Sequence, residues 1–125
     1  MAFSLDQFRL DGKVAVITGA GGRGNSIGRA YALGLAAAGA SIVVADLNRD
    51  GAQAVADEIV ANGGKAIGVQ VDVADEQSTL AMGKAAVEAF GGVDILINNA
   101  ALMVDISYEN CETVSLEAWN KAFAV

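Results

Sequence analysis

The sequence predicts an α/β fold in which a parallel sheet with the strand order 3-2-1-4 has helices on both faces. Four short apolar runs, at residues 14–17, 42–45, 66–71 and 93–97, alternate with three helical patterns. Most of these runs are almost continuously apolar, as in strands that are buried on both faces. A repeated strand–helix–strand order requires right-handed crossovers, which produce the predicted strand order.

Each predicted helix has apolar residues at three- and four-residue spacing, and glycine follows its end. The first is expected to bury Ile27, Ala30, Tyr31, Gly34, Leu35 and Ala38 and to stop at Gly39. The second is expected to bury Ala52, Val55, Ala56, Ile59 and Val60 and to stop at residues 62–64. The third, at about residues 75–90, places Leu80, Gly83, Val87 and Phe90 on one face. Ser115 is the predicted N-cap of a fourth helix.

Composition limits the classes of function. The 125 residues suffice for one domain, residues 1–125, and 54% of them are hydrophobic. A formal charge of −7 argues against a nucleic-acid or anionic-membrane surface. No apolar run approaches the roughly 20 residues of a membrane span, and the first residues do not resemble a signal peptide. One cysteine and no histidine make a metal site improbable. A cytoplasmic protein is expected.

Residues 13–46 form the most informative stretch. An apolar strand leads into a glycine-rich turn, the turn opens a helix, and a second strand ends at Asp46, eighteen residues after Gly28. Glycines allow the backbone to approach a pyrophosphate, whose charge is favoured at the helix N-terminus, and the acid accepts hydrogen bonds from ribose hydroxyls. The order of these parts predicts a Rossmann-type dinucleotide site.

The chain resembles the short-chain dehydrogenase/reductase family over essentially its whole length. The resemblance rests on L-D-G-K-V-A-V-I-T-G-A before the turn, S-I-G-R-A after it, Asp72 with Val73, N-N-A-A at residues 98–101, and Trp119.

The resemblance implies a role for each matching position. Gly19 and the turn that follows would pass beneath the pyrophosphate, Asp46 would bind the adenosine ribose, and Asp72 would bind the adenine amino group. The full implied cofactor-binding set is Gly19, Gly22, Arg23, Asn25, Ser26, Ile27, Gly28, Asp46, Leu47, Asp72, Val73, Asn99, Ala100 and Ala101. Two of these roles have a structural alternative, since Asp72 could cap the following turn and Asn99 could satisfy backbone groups at the strand end.

Two positions depart from the family pattern. Thr18 to Gly28 spans eleven residues, three more than the family's usual turn, which leaves open whether Gly21, Gly22 or Gly24 touches the phosphates. A longer turn with Ser-Ile is similar to that of the family's enoyl-reductase branch. Ala101 stands where glycine is usual.

NAD is the expected cofactor rather than NADP. Asp46 pairs well with two hydroxyls and repels a 2′-phosphate, and Leu47 follows it where a cation would be expected for NADP. Arg23 is the counter-argument, because a basic residue in the turn can reach a 2′-phosphate.

No catalytic residue is predicted within the chain. The family uses a tyrosine with a lysine four residues later for proton transfer, and no Tyr-x-x-x-Lys occurs here. The chain is therefore expected to be an inactive fragment of an NAD-dependent alcohol dehydrogenase or ketone reductase. The parent would act on a small alcohol or carbonyl substrate as a homodimer or homotetramer. An enoyl-reductase relative and a non-catalytic dinucleotide-binding module are the alternatives.

Overall fold

The predicted sheet is confirmed in the computed structural model, which describes residues 2–22, 24, 26–102, 110 and 112–125. Its four parallel strands have the order β3-β2-β1-β4. The strands are β1 (Val14–Thr18), β2 (Ser41–Asp46), β3 (Lys65–Gln70) and β4 (Ile95–Ile97). The helices are α1 (Ile27–Ala37), α2 (Arg49–Ala61), α3 (Glu76–Phe90) and α4 (Leu116–Phe123), and a 3-10 helix at Leu5–Phe8 precedes β1.

Helices cover both faces of the sheet. Alternate residues of a strand point to opposite faces, so Ile17 and Val44 pack with α1 and α2, whereas Val16 and Val43 pack with α3. All five residues of β1 and the four central residues of β2 are buried. This double burial is the reason that these strands are continuously apolar in sequence.

Helix ends agree with the sequence prediction. The Ser115 side chain accepts a hydrogen bond from the Ala118 amide and caps α4, as expected. The predicted stops lie at Gly39, Gly63 and Gly91, each with a positive φ. Side chains therefore fix the start of each helix, and left-handed glycines end the first three.

The predicted buried face of α1 is largely wrong. The structure buries Gly28 and Ala32, while Ile27 and Tyr31 are 69% and 46% exposed. Small side chains at Gly28 and Ala32 let α1 approach the sheet closely. Since nearly every residue of α1 is apolar, periodicity alone cannot select between its faces.

The α3 prediction needs a similar correction. Met82 and Ala86 are the residues buried against the sheet, whereas Leu80 and Val87 are 60% and 53% exposed. Phe90 is half-buried against the same cluster as Met82. On α2 four of the five predicted core residues are buried, and Val60 is exposed.

β4 begins at Ile95, two residues later than predicted, and Asp94 before it bonds to Val14 through both its side chain and its backbone. Its carboxylate accepts a hydrogen bond from the Val14 amide at 2.8 Å, and its own amide donates to the Val14 carbonyl. The Val14 amide, helped by the Lys13 ammonium, holds the pKa of the Asp94 carboxyl below its ordinary value. The Asp94 side chain thus adds a second hydrogen bond to Val14 at the start of β4, beside the backbone hydrogen bond from its own amide.

α4 is the least buried α-helix among those described, with no buried residue. Trp119 and Phe123 are 51% and 73% exposed, and their ring centroids lie 4.8 Å apart. Within the described part of the chain, none of the helices is long and apolar enough to cross a bilayer.

Candidate functional site

The carboxyl ends of the strands surround a cavity of about 170 Å³. It lies where the connections from β1 and β4 diverge, the position at which open α/β sheets bind ligands. The cavity is lined by Gly19, Asp46, Leu47, Val71, Asp72, Val73, Ala100, Ala101, Leu102 and Val125. The structure therefore brings together seven of the residues predicted for the site.

Thr18 joins the glycine turn to the end of β4. Its buried hydroxyl accepts hydrogen bonds from the Asn99 and Ala100 amides, each at 3.1 Å, and lies 3.4 Å from the Ile97 carbonyl oxygen. In return the Asn99 side-chain amide donates to the carbonyls of Thr18 and Gly19. Asn99 thus serves the strand end, as its structural alternative predicted.

Gly19 and Gly28 are required by close contacts. Gly19 has φ +67°, and a Cβ there would lie 2.8 Å from the Ala100 Cα. A Cβ at Gly28 would overlap the Gly19 carbonyl oxygen and lie 2.6 Å from the Asn99 side-chain nitrogen. The turn, the first residues of α1 and the end of β4 therefore meet with no space for side chains.

The remaining turn glycines lie in different surroundings. Gly21 is buried, and a Cβ there would lie 2.5 Å from the Ala52 amide of α2. A Cβ at Gly22 would lie 2.8 Å from the Ser26 side chain, whereas one at Gly24, where φ is +68°, would meet open space. Of these three glycines, Gly22 is therefore the one whose Cβ would contact the N-cap residue of α1.

Ser26 is the N-cap of α1, with its hydroxyl accepting a hydrogen bond from the Arg29 amide at 3.3 Å. Ile27 begins the helix and is exposed. The N-terminus of α1, which favours negative charge, therefore lies directly at the end of the glycine turn.

Asp46 ends β2 at the cavity and is held by two backbone amides. One carboxylate oxygen accepts from Gly21 at 2.8 Å, and the other accepts from Asn48 at 2.9 Å. Each carboxylate oxygen has a second lone pair, so both can still accept a ligand hydroxyl. Leu47 beside it is 66% exposed. The carboxylate is thus fixed in place at the cavity wall and keeps hydrogen-bonding capacity for a ligand.

Asp72 and Val73 also line the cavity. The Asp72 carboxylate accepts from the Ala74 amide at 2.9 Å, which is the turn-capping contact that the structural alternative predicted. This contact uses one carboxylate oxygen of Asp72, and the other oxygen can still accept a hydrogen bond from a ligand. Capping and ligand binding are therefore compatible.

Arg23 and Asn25 were predicted for the site and lie outside the described residues. Sequence reasoning assigned no role in the site to Thr18, Val71 or Val125. A threonine at the end of a buried apolar strand was the available signal for Thr18, whereas Val125 reaches the cavity only through tertiary folding. The described residues contain no cluster of three acidic or sulfur ligands suited to a metal ion.

Comparison with known proteins gives a consistent result. The family model of the short chain dehydrogenases matches residues 13–125. A 7alpha-hydroxysteroid dehydrogenase of Escherichia coli K12 is 48% identical over 98 residues, which are 78% of this chain and 37% of that protein. A cyclohexanol dehydrogenase of Acinetobacter sp. SE19 is 39% identical, over 94% of this chain and 45% of that protein.

A solved structure shares the fold closely. A 7 alpha-hydroxysteroid dehydrogenase, complexed with NADH and 7-oxo glycochenodeoxycholic acid, superposes with a TM-score of 0.87 at 39% identity. The match covers 99% of this chain and 46% of that one. The chain therefore spans less than half the length of each of these three relatives.

Proposed function

Because this chain belongs to the short chain dehydrogenase family, we propose that it forms the NAD-binding part of an oxidoreductase acting on an alcohol or ketone. The observation that supports this most is the fixed Asp46 carboxylate in the cavity at the switch point between β1 and β4. No Tyr-x-x-x-Lys occurs in these 125 residues, so the chain alone is proposed to bind cofactor without turnover. Hydride transfer is proposed for the whole protein.

The glycine turn fits a pyrophosphate. The missing side chains at Gly19 and Gly28 keep the turn close to the sheet, and Ser26 and Ile27 open a helix whose dipole favours the phosphates. Gly22, beside Ser26, is the extra glycine that we assign to this contact. Arg23 and Asn25 remain proposed contacts on sequence grounds. NAD, when bound, would supply the hydride acceptor.

The cavity fits the adenosine half of the cofactor. Asp46 would accept hydrogen bonds from the two ribose hydroxyls. The second oxygen of Asp72 would accept a hydrogen bond from the adenine amino group. Val73, Ala100 and Ala101 offer apolar surface to the base, and Asn99 positions that wall through Thr18.

NAD is proposed over NADP on charge. A 2′-phosphate at the Asp46 carboxylate would place like charges together, and Leu47 offers it no counter-charge. Within the described residues the cavity lining contains Asp46 and Asp72 and no cation. The cavity is therefore suited to hydroxyls rather than to a phosphate.

Asp46→Ala is expected to lower NADH affinity and erode the preference for NADH over NADPH. Losing hydrogen bonds to a charged acceptor costs about 1.5–3 kcal/mol, which is roughly a tenfold to hundredfold loss of NADH affinity. NADPH affinity should fall less, because the like charge is removed as well. Calorimetric titration of the 125-residue chain with both nucleotides measures the ratio.

Two further variants separate the causes. Asp46→Asn keeps an acceptor for the Gly21 amide but removes the charge, so it should erode the preference while retaining the turn. Asp57→Ala removes the same charge from the exposed side of α2, outside the cavity lining, and should change neither affinity. An Asp46→Ala chain with an unchanged preference would contradict the NAD assignment.

The substrate is proposed as a secondary alcohol or ketone. The two relatives are named for hydroxysteroids and cyclohexanol, which favours this chemistry over enoyl reduction and over a non-catalytic binding module. A homodimer or homotetramer in the cytoplasm is the accompanying proposal for the whole protein.

A further inference from the structure

An ion pair joins the first turn of α1 to the last turn of α2. The Arg29 guanidinium forms a fork on the Glu58 carboxylate, with Nε to Oε2 at 2.9 Å and Nη2 to Oε1 at 2.5 Å. The two side chains are only 28% and 35% exposed. Among the described residues, this fork is the only side-chain hydrogen bonding that connects α1 with α2.

Two open cavities adjoin this pair. On one side, a cavity of about 310 Å³ lies among Leu33, Ala36 and Ala37 of α1 and Ile59 of α2. On the other, a cavity of about 280 Å³ lies between the glycine turn and the small residues Gly51 and Ala54 of α2. Glu58 lines both cavities. The forked pair therefore contributes to fixing the distance between the two helices beside these cavities.

The glycine turn rests on both helices. Gly21, near the start of the turn, is buried against the Ala52 amide in the first turn of α2. Ser26, at its end, caps α1 through the amide of Arg29, the residue whose side chain holds Glu58. A change in the spacing of α1 and α2 would therefore pull the two ends of the turn apart.

We propose that Glu58 is a positioning residue for the phosphate-binding turn, acting through Arg29. This inference rests on the proposed function, because it assigns to Glu58 the alignment of the turn that receives the pyrophosphate. Glu58 does not line the cavity assigned to adenosine, so its effect should concern the pyrophosphate and not the nucleoside.

The test is Glu58→Gln, with Glu58→Ala as the stronger variant. Positioning predicts that NADH binds about threefold to tenfold more weakly, while adenosine, which lacks the pyrophosphate, binds within about twofold of the wild type. Simple electrostatics predicts the opposite sign, since removing a negative charge near Arg29 would favour an anionic ligand. Calorimetry for NADH and NMR titration for adenosine supply the two affinities.

The matched controls are Glu88→Gln and Glu88→Ala. Glu88 is paired with Lys84 on the exposed side of α3, and its removal changes the net charge equally without touching the turn. These variants should leave NADH affinity unchanged. Unchanged or tighter NADH binding in Glu58→Gln, or an equal loss of NADH and adenosine, would overturn the positioning role.

Amide exchange of the ligand-free chain gives a second readout. Glu58→Gln should speed exchange at Gly21, Gly22 and Ser26 relative to Glu88→Gln. If the wild-type chain failed to bind NADH, the proposed function would fall, and this readout would still decide the positioning role. Faster exchange in the turn would support it, and unchanged exchange would overturn it.

Discussion

Replacing Gly28 with alanine is expected to lower the free energy of unfolding by about 1–3 kcal/mol and to weaken NADH binding at least about tenfold. The added methyl would overlap the Gly19 carbonyl oxygen and would also lie 2.6 Å from the Asn99 side-chain nitrogen. Backbone atoms cannot move aside as a flexible side chain would, so α1 must shift outward. That shift displaces the helix N-terminus proposed to face the pyrophosphate.

Gly34→Ala in the same helix is the matched control. A Cβ at Gly34 meets nothing within 4 Å, so the substitution should stabilise the chain by up to about 1 kcal/mol through helix propensity. NADH affinity should stay at the wild-type value. Denaturant unfolding and NADH titration measure both variants, and equal effects at the two glycines would contradict the close-contact account of Gly28.

Thr18→Val is expected to lower the free energy of unfolding by about 2–4 kcal/mol. Valine keeps the shape of threonine but removes the acceptor of the Asn99 and Ala100 amides, and each unsatisfied group costs about 1–3 kcal/mol. Since Thr18 is 3% exposed, water cannot readily replace the hydroxyl. The wall formed by Asn99 and Ala100 should loosen, and NADH affinity should fall with it.

Thr18→Ser separates the hydroxyl from the methyl group. Serine retains the acceptor and loses one methyl, so it should lower the free energy of unfolding by only about 1 kcal/mol. Denaturant unfolding of both variants gives the comparison. A valine variant as stable as the serine variant would show that the hydroxyl does not support the end of β4.

The sequence predicted the sheet well because its signals are local. Two strands buried on both faces are continuously apolar, and left-handed glycines mark helix ends, so strand order and most boundaries followed directly. β4 was the exception. Asp94 belongs to the strand pattern in sequence, yet its carboxylate replaces a backbone acceptor for Val14, which only the folded arrangement reveals.

The helix faces were predicted less well for a physical reason. Apolar periodicity ranks faces by hydrophobicity, whereas α1 is oriented by the need to bring Gly28 against Gly19. The larger Ile27 and Tyr31 are therefore left exposed. The same limitation applies to α3, where Met82 rather than Leu80 faces the sheet.

The residues of the candidate site that could be predicted are those that end or follow a strand. Asp46 and Asp72 end or follow strands at the same edge, so topology brings them to one cavity. The hydrogen bond from Gly21 to Asp46 and the pair of Arg29 with Glu58 could not be predicted, because they depend on how α2 is seated beside the turn.

Amide NMR spectra of the labelled 125-residue chain during an NADH titration test the central claim most directly. The account predicts saturable shifts at Gly19, Gly22, Ile27, Asp46, Asp72 and Ala100, at the carboxyl edge of the sheet. The opposite edge is the internal reference, since a cavity of about 380 Å³ there is lined by Arg9, Ser41 and Lys65, two of them cationic. Shifts confined to that edge, or no saturable shifts at the glycine turn, would contradict a dinucleotide site at Asp46.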